Sequence, residues 1–134
     1  MKLRNSPSAK IAIVDDSDLT RRTIVEILEK EGLEIVGDAN SAERALQIAA
    51  TTPVNIFLID VVMPDVGGLE LLKHIINNYQ GIYVIMMSSL NSEDINLEAI
   101  SNGALDVLQK PFDKETLIKS VTKIAQRIEK ENSR

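Results

Sequence analysis

The chain has no cysteine and no tryptophan, and only two phenylalanines and two tyrosines in 134 residues. Without cysteine there is neither a disulfide framework nor a thiolate metal site. With so few rings, a site that stacks nucleic-acid bases or a flat cofactor is disfavoured. Long apolar runs are missing as well: none approaches the roughly 20 residues that a membrane span needs. Positive charge is in short supply, with 15 Lys and Arg against 20 Asp and Glu. The resulting net charge of −5 argues against broad phosphate-backbone binding, because nucleic-acid binders present a basic face. Neither nucleic acid nor a membrane is therefore an expected direct partner. Met1 to Ala9 is polar and lightly basic with no apolar core, so it does not read as a secretory signal. A cytoplasmic location is compatible with all of this.

What is present fits one domain, with 44% apolar residues to build a single core. The expected organisation is a disordered leader over 1–9, a domain over 10–130 and a frayed tail over 131–134. The chain is organised around Ile56-Phe57-Leu58-Ile59-Asp60-Val61-Val62-Met63-Pro64. The apolar run from Val54 to Ile59, broken only by Asn55, has the pattern of a strand covered on both faces in a parallel sheet. It delivers the carboxylate of Asp60 to its C-terminal end. Met63-Pro64 stops the strand, and Gly67-Gly68 permits a tight turn into a third helix over about 68–78.

The remaining elements alternate. Lys10 to Val14 reads as a first strand ending in Asp15-Asp16-Ser17-Asp18, an acidic cluster able to cap a helix over about 19–31 that buries Ile24, Ile27 and Leu28 and closes at Gly32. Leu33 to Val36 is a brief second strand. Asn40-Ser41-Ala42-Glu43 has the form of a capping box, and Ala42, Ala45, Leu46 and Ala49 then recur at helical spacing. Ile82 to Met87 is a fourth strand ending in Ser88-Ser89. The helix over about 93–102 has only a weak stripe of Ile95, Ala99 and Ile100, which makes it a candidate moving part. Leu105 to Gln109 is a fifth strand ending at Lys110-Pro111. Asp113 caps a last helix with the stripe Leu117, Val121, Ile124 and Ile128. Five strands alternating with five helices imply an α/β doubly wound parallel sheet in the order 2-1-3-4-5, the flavodoxin-like (βα)5 arrangement.

In that order strands 1, 3, 4 and 5 are neighbours, and ligands of open α/β sheets bind beyond the carboxyl ends of the strands. There the chain offers Asp15 and Asp16, then Asp60, Ser88 and Lys110. Three converging carboxylates raise one another's pKa, and a hard divalent cation relieves this. Mg²⁺ takes oxygen ligands and typically combines one or two carboxylates with phosphate oxygens. Beside it Asp60 is an anionic nucleophile, with the Lys110 charge and the Ser88 hydroxyl suited to the oxygens of a transferring phosphoryl group. Formation of an aspartyl phosphate is the reaction these residue types point to.

Asp15-Asp16, Asp60-Val61-Val62-Met63-Pro64, Ser88-Ser89 and Lys110-Pro111-Phe112 together resemble the signature of the bacterial response-regulator receiver domain, over roughly 10–128. The resemblance implies that Asp60 accepts phosphate from a histidine kinase or phosphotransfer protein. It implies Mg²⁺ held by Asp16, by Asp15 partly through water, by Asp60 and by the backbone carbonyl of Val62. Ser88 becomes the switch hydroxyl, Ser89 a small residue at the site entrance, Lys110 the partner of the phosphoryl group, and Lys110-Pro111 a cis peptide. A downstream protein or output domain would bind the fourth helix, fifth strand and fifth helix, in a monomer or a weak phosphorylation-dependent dimer. Two departures stand out. The family's switch aromatic is Val107 here, so coupling must use smaller packing shifts. Val62 and Leu90, at positions that tune dephosphorylation, are both apolar, which predicts a long-lived phosphoryl state. The Ser88-Ser89-Leu90 and Gly103 to Asp106 stretches are similar to chemotaxis methylesterase receivers.

Blander readings compete. Taken singly, Asp15, Asp16 and Asp18 are helix caps, Lys110 a solvated surface lysine, and Arg21-Arg22 either a kinase-docking pair or an ordinary helix face. His74 faces solvent beside the stripe Leu71, Leu72, Ile75 and Tyr79. An aspartate-nucleophile phosphatase uses a similar residue set, but Val62 stands where its second aspartate is needed. A flavodoxin-like electron carrier lacks its hydroxyl-rich loop and aromatics here. A scaffold that is never phosphorylated is a third alternative.

Overall fold

The structure is a computed structural model that describes residues 9–132. The ten elements alternate as β1 (Lys10–Val14), α1 (Asp18–Lys30), β2 (Glu34–Ala39), α2 (Ala42–Thr51), β3 (Ile56–Asp60), α3 (Gly68–Asn78), β4 (Tyr83–Ser88), α4 (Glu93–Ser101), β5 (Asp106–Gln109) and α5 (Lys114–Asn132). The strands form one parallel sheet in the order β2-β1-β3-β4-β5. This is the doubly wound, flavodoxin-like arrangement expected from the alternation.

Because strand side chains alternate, each central strand divides its apolar residues between two cores. Ile11 and Ile13 of β1, Ile56 and Leu58 of β3, and Ile85 and Met87 of β4 pack with Ile24 and Leu28 of α1 and with Leu117, Val121, Ile124 and Ile128 of α5. Ala12, Val14, Phe57, Ile59, Val84 and Met86 face the other way, onto α2, α3 and α4. Burial on both faces is why β3 reads as an unbroken apolar run.

Several boundaries differ from the sequence expectation. The expected leader over 1–9 lies outside the described residues except for Ala9, which is buried in the core rather than loose. Helix α5 continues through Asn132, so the expected fray does not begin at 131. Glu131 accepts a hydrogen bond from the Tyr83 hydroxyl at 2.7 Å and pairs with Arg127 one turn back. Strand β2 extends three residues beyond Val36, with a register shift opposite Ile11 and Ala12. Helix α1 is capped by Ser17, not by the aspartates, and α2 is capped by Ser41, which puts Arg44 rather than Glu43 where a capping box needs its acid. In α4 only Ala99 is buried, while Leu97 and Ile100 are 64% and 50% exposed, so Ile100 is not part of an inward stripe.

The turn after β3 depends on one glycine. Gly68 donates to the Val61 carbonyl at 2.8 Å, and a Cβ there would overlap the Asp60 carbonyl oxygen and Val61 Cα, both backbone. Nothing flexible can yield, so Gly68→Ala is expected to cost about 2–3 kcal/mol in denaturant unfolding, the upper range for overpacking. At Gly67 a Cβ meets only the Val61 carbonyl at 3.9 Å. Gly67→Ala is expected to cost no more than about 1 kcal/mol, the value of a lost helix-capping preference. Equal losses for the two variants would contradict this account.

Candidate functional site

Asp15, immediately after β1, is fully buried, because β1 is an interior strand flanked by β2 and β3. Its Oδ1 accepts from the Ser17 N–H at 2.9 Å, a local turn that orients the carboxylate and places Ser17 to cap Thr20 at the start of α1. Asp60 ends β3 with 6% exposure, and its Oδ1 accepts from the Val62 N–H at 3.2 Å. Asp16 lies beside them, exposed. One ligand oxygen from each of Asp15, Asp16 and Asp60 can be chosen so that all lie within 4.8 Å of one another. Lys110, after β5, donates to Asp15 Oδ2 at 2.7 Å and to Asp60 Oδ2 at 3.2 Å.

The charges do not balance. Burial pushes the Asp60 carboxyl above its ordinary value; Lys110 opposes this, and the Asp15 charge adds to it. Burial alone would lower the Lys110 ammonium, but its bond to Asp15 and the charges of both aspartates hold it above the usual lysine range. The shorter contact to Asp15 explains why Lys110 does not fully compensate Asp60. Three carboxylates around one ammonium form an oxygen-rich, cation-poor pocket, the donor set that suits Mg²⁺.

Of the other residues singled out from sequence, Ser88 is buried at the end of β4, but its hydroxyl bonds within its own loop, accepting from Leu90 N–H at 3.0 Å and donating to Leu90 O at 3.2 Å. Ser89 is exposed and lines a groove of about 510 Å³ with Leu19, Ile27, Lys110 and Phe112. Val62 and Leu90 are exposed, and Val107 is half-buried against the α4 side of the sheet. The Lys110-Pro111 bond is cis. His74 is exposed.

Two contacts were missed by sequence reasoning. Arg22 is exposed as a solvated helix face would be, but Arg21 is largely buried and tied down. Its Nη1 donates to the Asp15 carbonyl at 2.8 Å, its Nη2 to Asp18 at 2.8 Å, and Asp38 lies 3.5 Å from Nε. Its place one turn past Ser17 is the available signal, since helical side chains lean back toward the N-terminus. Asp65, in the β3–α3 turn, accepts from the Ala42 and Glu43 N–H groups at the start of α2 at 3.2 and 3.3 Å. Those bonds, led by one from Val66 N–H, hold its carboxyl below the ordinary range.

A family model described as the response regulator receiver domain matches residues 11–122. The chain belongs to this family. The receiver is 27% identical over 116 residues to the chemotaxis protein CheY of Thermotoga maritima, covering 87% of this chain and 97% of that one. It is 37% identical over 123 residues to a protein-glutamate methylesterase/protein-glutamine glutaminase of Trichodesmium erythraeum, covering 87% of this chain but only 35% of that longer protein. Among solved structures, a CheY-like receiver domain from Methanospirillum hungatei matches with a TM-score of 0.86 at 28% identity, covering 93% and 99% of the two chains. CheY in the CheX–CheY–BeF3–Mg²⁺ complex of Borrelia burgdorferi matches with a TM-score of 0.81 at 28% identity, covering 87% and 88%. No helix among the described residues of this receiver is long and apolar enough to cross a membrane.

The raised Asp60 pKa sets a pH dependence for the metal-free receiver. The folded protein keeps the Asp60 proton to higher pH than the unfolded chain, where the value is near 3.8. The protonated group therefore favours the fold below that pH, and the contribution is lost as pH rises through the folded-state pKa. At neutral pH in chelator, Asp60→Asn is expected to melt a few degrees higher than wild type, with the difference shrinking as pH falls toward 4. A mutant less stable at pH 7, or a gap that widens in acid, would show that Lys110 already compensates Asp60.

Proposed function

We propose that this receiver accepts a phosphoryl group on Asp60 and uses it to switch a protein-interaction surface in cytoplasmic two-component signalling. The observation that carries the reading is the meeting of Asp15, Asp16 and Asp60 at the ends of the adjacent strands β1 and β3 with Lys110 from the end of β5. A carboxylate oxygen of Asp60 attacks phosphorus, the P–N bond of a donor phosphohistidine breaks, and its imidazole leaves with the electron pair. Lys110 neutralises charge on the phosphoryl oxygens, and Asp15 keeps Lys110 in place. Asp15, Asp16, Asp60 and the Val62 carbonyl would hold Mg²⁺. When bound, the ion supplies charge stabilisation for the phosphoryl oxygens. The donor is a histidine kinase or phosphotransfer protein.

In this reading a rearranged β4–α4 loop brings the hydroxyl of Ser88, one residue past Met87, the partner of Asp60 across the sheet, to a phosphoryl group on Asp60, with Ser89 at the entrance. With Val107 half-buried in the core that also takes in Ala99 and Ile95 of α4, a loop shift passes into α4, β5 and α5 by packing. That face, with Leu97, Ile100 and Leu105 exposed, is the surface whose affinity for a downstream protein or output domain changes.

Incubation with a small phosphodonor should add one phosphoryl group to the intact mass in Mg²⁺, and none in chelator or in Asp60→Asn. Modification that survives the Asp60→Asn change would move the acceptor elsewhere. Once formed, the aspartyl phosphate is expected to persist for minutes or longer, because neither Val62 nor Leu90 can orient attacking water. Val62→Asn is expected to shorten that lifetime several-fold; a wild-type half-life of seconds would contradict the reading of these two side chains.

A further inference from the structure

The connection between β4 and α4 is held from β5 by one side chain. Ser88 Oγ accepts from the Leu90 N–H at 3.0 Å and donates to the Leu90 carbonyl at 3.2 Å. A hydroxyl has a single proton, so that of Ser88 is committed for as long as this turn lasts. Gln109 braces the turn: its Nε2 donates to the Ser88 carbonyl at 3.1 Å and to the Leu90 carbonyl at 3.3 Å. Both groups in front of the amide are carbonyl oxygens, so only its NH₂ can serve them, and chemistry fixes which way the amide faces. The Ser88 carbonyl also accepts from the Lys110 N–H at 2.7 Å, which joins the braced turn to the residue that pairs with Asp15 and Asp60. Little else anchors the segment. Ser89, Leu90 and Asn91 are exposed, and α4 buries only Ala99. In such a segment a few side-chain hydrogen bonds set the local stability.

We propose that Gln109 is a positioning residue: it holds the β4–α4 turn with the Ser88 hydroxyl bonded inside the loop, and so sets how readily the site reorganises around a phosphoryl group. This rests on the reading of Asp60 as the acceptor. To donate to a phosphoryl oxygen, Ser88 must release the Leu90 carbonyl. The turn then opens, and Gln109 loses an acceptor. The brace therefore opposes the step that engages Ser88, and its removal favours that step. Gln109 is exposed at the end of an edge strand, so replacing it removes no core contact. Gln109→Met retains the length and removes both donors; Gln109→Ala removes the side chain.

The test combines residue-resolved amide hydrogen exchange of the unphosphorylated full chain with initial rates of phosphorylation by phosphoramidate in Mg²⁺. Wild type, Gln109→Met and Gln109→Ala are compared, with denaturant midpoints as a control. Both variants should exchange the Leu90 amide about tenfold faster or more, because two neutral hydrogen bonds to the turn are lost and one alone is worth up to about that factor. They should take up phosphate several-fold faster while still unfolding cooperatively, with the denaturant midpoint lowered by no more than this local loss. Unaltered Leu90 exchange would overturn the brace. Faster exchange with an unaltered phosphorylation rate would overturn its part in the reaction. If wild type itself takes up no phosphate, the acceptor reading falls instead, and the exchange data still decide the brace.

Discussion

Two aspartates on neighbouring strands share the ammonium of a lysine that follows the edge strand β5, and this arrangement constrains everything around it. Asp15 and Asp60 come together because β1 and β3 are adjacent, while Lys110 reaches past β4 on a flexible four-carbon stem. Removing one partner of a buried ion pair leaves the other uncompensated, which costs far more than the pair contributes. Here a carboxylate is already under-compensated. Asp60 is the less well served of the two, and the same imbalance leaves the pocket rich in carboxylate oxygen and short of positive charge.

Holding like charges together requires a stiff frame, and the chain supplies it mainly with backbone contacts. Arg21 grips the Asp15 carbonyl from the first turns of α1, and Ser17 starts that helix within the Asp15 turn. On the other side, Gly68 lets α3 begin against the Asp60 carbonyl, and Asp65 ties the same turn to the free N–H groups of α2. The acidic loops on either side of the pocket are thus each fastened to a helix N-terminus, where backbone N–H groups lack helical partners.

The opposite quality prevails along the edge at β4–α4. There the anchors are small: one buried alanine in α4, a half-buried valine at Val107, and side-chain bonds from Ser88 and Gln109. An acidic cradle fastened on both sides therefore lies next to a loop held by few contacts, and on the proposed reading a group bound at the cradle has only those contacts to overcome.

Much of this was legible along the chain. Continuous apolar runs mark strands buried on both faces, the Leu117, Val121, Ile124 and Ile128 stripe marks α5, and the ends of those runs place Asp15, Asp60, Ser88 and Lys110 at one edge of the sheet. These features are local: periodicity and strand ends are written in consecutive residues. What the tertiary structure alone decided are bonds between distant segments. Asp65 finds α2 across 23 residues, and Gln109 finds the Leu90 carbonyl across 19. No pattern in a single segment encodes such pairings, because each depends on the separation and orientation of two elements that only the packed sheet sets.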